Sequence, residues 1–240
     1  ALVTAVGLAR RLGKTPVVVK DSPGFVVNRV LMPYLREALH LLEEGYAVAD
    51  IDASMKRFGM PMGPFEVVDE VGLDVAYKVA GVLSKAFPDR MQPSVALEKM
   101  IAAGKLGKKN GNGFYRHKGR KRTVDPTVRG LLGLQATRRP QTIDGLSERM
   151  VLAMINESAR CVEEGIVSGS DQVDLAMIFG AGFPPYRGGV LRHADAAGLQ
   201  AIVDRLKSLR AEKGTRFEPC ALLVSKATAG ETFTGWNSSS

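Results

Sequence analysis

Arg36-Glu37-Ala38-Leu39-His40-Leu41-Leu42-Glu43-Glu44-Gly45 is answered later in the chain by Asn156-Glu157-Ser158-Ala159-Arg160-Cys161-Val162-Glu163-Glu164-Gly165, an offset of 120 residues (165 minus 45). The likeness continues downstream. Asp52, Met55, Gly59 and Pro61 correspond to Asp174, Met177, Gly182 and Pro184 once two or three residues are inserted, and Gly72-Leu73 corresponds to Gly198-Leu199. A period this long marks one supersecondary unit used twice. In the first unit Val30, Leu31, Tyr34, Leu35, Ala38, Leu39 and Leu42 fall on one stripe at helical spacing before Gly45 stops the helix. Each copy must bury such a stripe, so the repeat predicts a mainly α protein built of two tandem, similar helical domains packed together.

Upstream of the first stripe, Leu2, Val3, Val6, Leu8 and Ala9 read as a helix ending at Gly13, and the β-branched run Pro16-Val17-Val18-Val19 as a strand. A lone strand cannot be stable in water, so residues 1–22 read as the closing helix and strand of an α/β domain that continues upstream. Asp50 is placed to cap a second helix carrying Ile51, Met55 and Phe58, with Pro61-Met62-Gly63-Pro64 breaking it before an apolar stretch from Phe65 to Leu83. Glycines at 104, 107, 111 and 113 before Phe114 and Tyr115 predict a tight turn and a short strand. The boundaries that follow are 23–116 for the first helical domain, 117–142 for a basic linker and 143–240 for the second.

The chain has 240 residues, 45% of them hydrophobic, enough for at least one full core. No run of eighteen apolar residues occurs, and Ala1-Leu2-Val3-Thr4 lacks the features of a secretory signal. Cys161 and Cys220 have neither the number nor the spacing of a disulfide framework or zinc site, which points to a reducing cytosol. The net charge of +8 is uneven: residues 105–139 hold eleven Lys/Arg against one acid, Asp125. Such a stripe suits phosphate or a solvated linker; its most basic run, Lys118-Gly119-Arg120-Lys121-Arg122, carries none of the stacking aromatics that nucleic-acid grooves use, so no nucleic-acid partner is expected.

No complete catalytic set can be read from the residues. Gly111-Asn112-Gly113 opens like a dinucleotide fingerprint, but Arg116 stands at the third glycine's place and no strand-to-helix context surrounds it. Lys105, Lys108 and Lys109 resemble a phosphate loop in composition only. None of the three histidines, His40, His117 and His193, has a local acid that singles it out as a general base. Asn28 is different. It sits where the α/β remnant gives way to the helices, a junction where ligands tend to lie, and its amide offers both a donor and an acceptor. Capping the helix explains an Asn there equally well.

The run Asp21-Ser22-Pro23-Gly24-Phe25-Val26-Val27-Asn28-Arg29-Val30-Leu31-Met32-Pro33-Tyr34 resembles the signature of the 3-hydroxyacyl-CoA dehydrogenase family. Gly63-Pro64-Phe65-Glu66 and Lys108-Lys109-Asn110-Gly111-Asn112-Gly113-Phe114-Tyr115 resemble two further blocks of it in the same order. Phe179-Gly180-Ala181-Gly182-Phe183-Pro184-Pro185-Tyr186-Arg187-Gly188-Gly189 is similar to the duplicated C-terminal domain of the multifunctional enzymes of fatty-acid β-oxidation, and the likeness spans nearly all of the chain except 230–240. The resemblance implies helical domains like the C-terminal domain of 6-phosphogluconate dehydrogenase. It implies that NAD and a catalytic His-Glu pair belong to a Rossmann domain upstream, with an enoyl-CoA hydratase domain further upstream still, so no catalytic residue is expected among these 240. It assigns the substrate-contacting asparagine to Asn28 and, more weakly, an apolar substrate contact to Phe179, where some relatives carry tyrosine; a core aromatic is the other reading of Phe179. The implied substrate is a (3S)-3-hydroxyacyl-CoA, the implied assembly a homodimer or a thiolase-containing complex, and the implied location the bacterial cytoplasm or the eukaryotic peroxisome. A helical module serving only dimerisation or thiolase docking is the first rival reading, and a nucleic-acid binder using residues 105–139, which salt-dependent DNA binding would reveal, is the second.

Overall fold

The computed structural model describes residues 1–92, 94–135 and 143–235. Its elements are α1 (Leu2–Arg11), α2 (Val27–Glu43), α3 (Val48–Phe58), α4 (Pro64–Val71), α5 (Leu73–Ala86), α6 (Val95–Ala102), an antiparallel hairpin of β1 (Tyr115–Lys118) and β2 (Lys121–Val124), α7 (Thr127–Leu132), α8 (Ile143–Glu163), α9 (Ser170–Ala181), α10 (Val190–Ala197), α11 (Leu199–Lys213) and α12 (Ala221–Ala229). The expected mainly helical fold is thus present. One continuous core runs through both copies, from Val30 and Tyr34 of α2 to Met150 and Met154 of α8.

The two long helices α2 and α8 pack on each other, and the contacts around them come in reciprocal pairs. Arg29 Nε donates to Glu157 at 2.7 Å and its guanidinium also pairs with Glu164 at 2.8 Å. Arg149, 120 residues on, donates from Nε to Glu37 at 2.7 Å and from Nη1 to Glu44 at 2.8 Å. Glu157 and Glu164 are likewise 120 residues from Glu37 and Glu44, so each copy lends one arginine to the two glutamates of the other. Glycines repeat the pattern. A Cβ on Gly59 would sit 2.9 Å from Pro184, and one on Gly182 would sit 2.8 Å from Pro61. This is the geometry of a two-fold, self-complementary interface realised inside one chain.

Each copy also positions its third helix by one buried aspartate. Asp52 accepts from the backbone N–H groups of Phe65 (2.9 Å) and Glu66 (3.2 Å) at the start of α4 and from the Tyr115 hydroxyl at 2.6 Å. Asp174 does the same at the start of α10, accepting from Leu191 (2.7 Å) and Arg192 (3.1 Å). The glycines before these helices, Gly63 and Gly189, lie so close that a Cβ on either would fall within 2.3 Å of the aspartate's Cβ. Burial raises the Asp52 carboxyl to about 7 against its hydrogen bonds, and raises that of Asp174 to about 6. An acid with a raised pKa holds its proton longer when folded, so its contribution is full below the unfolded value and is lost as pH rises through the folded one. Stability is therefore expected to fall between about pH 4 and pH 7. Urea midpoints of the wild type should drop over that range, and those of Asp52→Asn should drop less; equal slopes would rule out Asp52 as the source.

Several local expectations are corrected. α1 forms, but no strand does at residues 16–19: the run Pro16–Val19 has no neighbouring strand, and only Lys20, just after it, makes a backbone bond to the second copy, N–H to Ile166 O at 2.8 Å. Asp50 is exposed in the first turn of α3 and not its cap, which is Ala47. Pro33 lies in the interior of α2, where it has no N–H to give the preceding turn. The apolar stretch 65–83 is broken into α4 and α5 at Gly72, whose φ of +102° no other residue adopts cheaply. The basic segment begins as a folded hairpin and helix, not as solvated chain, because its charges find acids: on the first copy Lys108 pairs with Glu70 at 2.7 Å, Arg122 with Glu66 at 2.6 Å and Lys109 with Asp74, and within the segment Arg116 pairs with Asp125 at 3.1 Å and Lys105 also reaches Asp125. Residues 136–142 of the expected linker lie outside the described residues.

Candidate substrate-facing site

Asn28 owes its position to the loop before α2. Ser22 O accepts from Phe25 N–H at 2.9 Å to close a turn in which Gly24 (φ +75°) and Phe25 (φ +49°) are both left-handed. Gly24 is required on two counts, since a Cβ there would also meet Leu83 Cδ2 of α5 at 2.8 Å. A non-glycine residue held left-handed costs energy and is often found at functional sites, and Phe25 is 54% exposed as well. The chain then enters α2 at Val27, with Val26 as N-cap and no side-chain cap bond. Asn28 is the second residue of the helix, exposed, and its amide is engaged by no hydrogen bond among the described residues. The capping reading of Asn28 therefore fails.

Phe179 is 69% exposed, so it is not a core aromatic. It stands beside Gly180, which exists to let the end of α9 close on the start of α2: a Cβ there would sit 2.6 Å from Val27 Cγ2. Asn28 and Phe179 are thus each one residue along the chain from the same intercopy contact, one polar and one apolar, both open to solvent. An exposed amide beside exposed aromatics can hydrogen-bond an oxygen and cover an apolar group, but it holds no acid, base or nucleophile.

The histidines take structural places. His117 Nε2 lies 2.8 Å from Asp69 Oδ2, an acid-histidine pair that no local spacing signals, the two residues standing 48 apart in the chain. Asp69 is fully buried and also accepts from Phe114 N–H and Tyr115 N–H, each at 2.9 Å, so it straps the hairpin to the end of α4. Gly113 is fixed by that strap, because a Cβ would fall 2.1 Å from Asp69 Oδ1. His40 pairs with Glu43 at 3.0 Å, and His193 lies edge-on to Phe58 with its pKa lowered by burial and by Arg187. Among the described residues no cluster of His, Cys, Asp and Glu could hold a metal ion. Both cysteines are buried and unpaired, and among the described residues no helix is long and apolar enough to cross a membrane.

The model of the family described as 3-hydroxyacyl-CoA dehydrogenase, C-terminal domain, matches twice, over residues 24–117 and 146–234. The chain belongs to this family. The double match coincides with the reciprocal contacts: one copy of the family domain supplies α2 and the other α8. Fatty acid oxidation complex subunit alpha of Shewanella loihica is 43% identical over 234 residues, and that of Shewanella amazonensis 43% identical over 237. Each alignment takes in 97% of this chain and 33% of the relative, so this 3-hydroxyacyl-CoA dehydrogenase C-terminal chain spans about a third of the length of the curated relatives it matches. Among solved structures, 3-hydroxybutyryl-CoA dehydrogenase of Escherichia coli superposes with a TM-score of 0.76 at 25% identity, over 98% of this chain and 65% of that one. The dehydrogenase part of multifunctional enzyme 1 of C. elegans gives 0.69 at 25% identity, over 93% and 52%.

Proposed function

We propose that this chain is the helical part of an NAD-dependent 3-hydroxyacyl-CoA dehydrogenase of fatty-acid β-oxidation, which oxidises (3S)-3-hydroxyacyl-CoA to 3-oxoacyl-CoA. The observation that carries this reading is the 43% identity, over 97% of the chain, to fatty acid oxidation complex alpha subunits. The described residues do not fit NAD: their only sheet is an antiparallel hairpin, and Gly111-Asn112-Gly113 leads into that hairpin instead of into a helix N-terminus that could face a pyrophosphate. On this reading NAD and the acid-base pair belong to a Rossmann domain elsewhere in the protein, and the present chain supplies one wall of the cleft. Asn28 then hydrogen-bonds the substrate oxygen through its unengaged amide, and Phe179 gives an apolar contact from the second copy. The longer protein also carries enoyl-CoA hydratase activity, acts in the bacterial cytoplasm, and assembles as a homodimer or with a thiolase.

Two measurements test this together. The full-length protein should form NADH from (3S)-3-hydroxyacyl-CoA, and calorimetric titration of NAD into the 240-residue chain alone should give no saturable binding. A micromolar dissociation constant for the chain alone would contradict the division of labour, and a full-length protein that forms no NADH would contradict the activity.

A further inference from the structure

A cavity of about 310 Å³ lies between the two copies, and its walls follow the same reciprocal pattern as the interface. Arg36, Glu37 and His40 of α2 line it opposite Asn156, Glu157 and Arg160 of α8, each pair 120 residues apart. The chemistry is nonetheless one-sided. Leu39, Val68, Ala80 and Leu97 of the first copy give it an apolar lining, while Arg216 joins Arg36 and Arg160 among its charged residues. Neither Asn28 nor Phe179 lines it.

Two of the cavity's three acids, Glu37 and Glu157, are already engaged by arginines, and the third, Asp89, is exposed. Glu37 accepts from Arg149 on Oε1 and from Arg216 on Oε2 at 2.9 Å, and Glu157 accepts from Arg29 at 2.7 Å. Arg36 is held more loosely: its Nη1 is buried and makes no hydrogen bond, and its ion pair with Glu43 is long, at 3.7 Å. A buried, unsatisfied guanidinium N–H is costly unless a ligand or water answers it, and a carboxylate answers it best. A carboxylate there, with an unbranched hydrocarbon against Leu39 and Ala80, uses both the charged and the apolar lining. The volume equals about ten waters and lies at the small end of ligand pockets, of a size for a single chain.

We propose that this cavity binds a medium-chain fatty acid, with its carboxylate on Arg36 and its hydrocarbon among Leu39, Val68, Ala80 and Leu97. Because both copies form its walls, occupancy joins them and raises the melting temperature. The assignment does not depend on the dehydrogenase reading. The test is calorimetric titration of decanoate into the protein, with decan-1-ol as the uncharged control and melting curves with and without each. Decanoate should bind saturably and raise the melting temperature. Arg36→Gln should weaken it at least tenfold while leaving the alcohol's binding unchanged, and Ala80→Phe should abolish binding by filling space at the apolar lining. No saturable binding to the wild type, equal binding of acid and alcohol, or an Arg36→Gln variant that binds decanoate as well as the wild type would each overturn the proposal; the Arg36 variant decides the matter even if Ala80→Phe does not fold.

Discussion

Arg149→Met is expected to destabilise the protein by about 3–5 kcal/mol, the size seen when one partner of a buried ion pair is removed and the other is left uncompensated. Arg149 is 2% exposed and Glu37 likewise. Burial opposes the charge on Arg149, but the carboxylates of Glu44 and Glu37 outweigh it and raise its pKa; in turn Arg149 and Lys213 bring Glu44 down to about 2 despite its burial. Methionine replaces the stem but not the donors, so Glu37 keeps only Arg216 and Glu44 only Lys213. A chemical denaturation series reads the loss directly. Because the cost lies mostly in stranded charge, removing Glu37 as well should return part of it, and the double variant should be less destabilised than the sum of the singles. Additive losses would mean that the pair contributes packing alone. Arg29→Met should behave similarly, since Arg29 is fully buried against Glu157, although the more exposed Glu164 can be partly rehydrated.

The helical class and the duplication were legible because they rest on side-chain period and on glycines that end helices, both local properties of the chain. The reciprocal clamp was equally present in the 120-residue offset, for Arg29 and Arg149 stand in register with each other just as Glu37 and Glu157 do. It escaped notice because a charged residue in a helical pattern ordinarily faces water, and only packing reveals that these face a second helix. The strand expected at 16–19 failed for the opposite reason: β-branched residues favour a pleated surface only where a neighbouring strand offers one. The basic segment misled by composition, since its acids, Glu66, Glu70 and Asp74, lie some forty residues earlier in sequence and are brought to it by α4 and α5. The same distance hid the Asp69–His117 pair. Asn28 could be picked out by type and place, but whether it capped the helix depended on where α2 begins, which no spacing settles.

The dehydrogenase account rests most heavily on Asn28. Its side chain has no structural partner to lose: it is exposed, caps nothing, and lies beside a strained turn and the intercopy contact at Val27 and Gly180. If it hydrogen-bonds the substrate oxygen, truncating it removes one polar contact, about 1.4–2.8 kcal/mol of transition-state stabilisation, or roughly tenfold to a hundredfold in rate. The direct measurement is kcat/KM for 3-hydroxyacyl-CoA oxidation by the full-length protein carrying Asn28→Ala, with NAD affinity and melting temperature measured on the same sample. The account predicts that kcat/KM falls by that factor while affinity for NAD and stability stay at wild-type values; undiminished turnover in a stable, NAD-competent variant would contradict it.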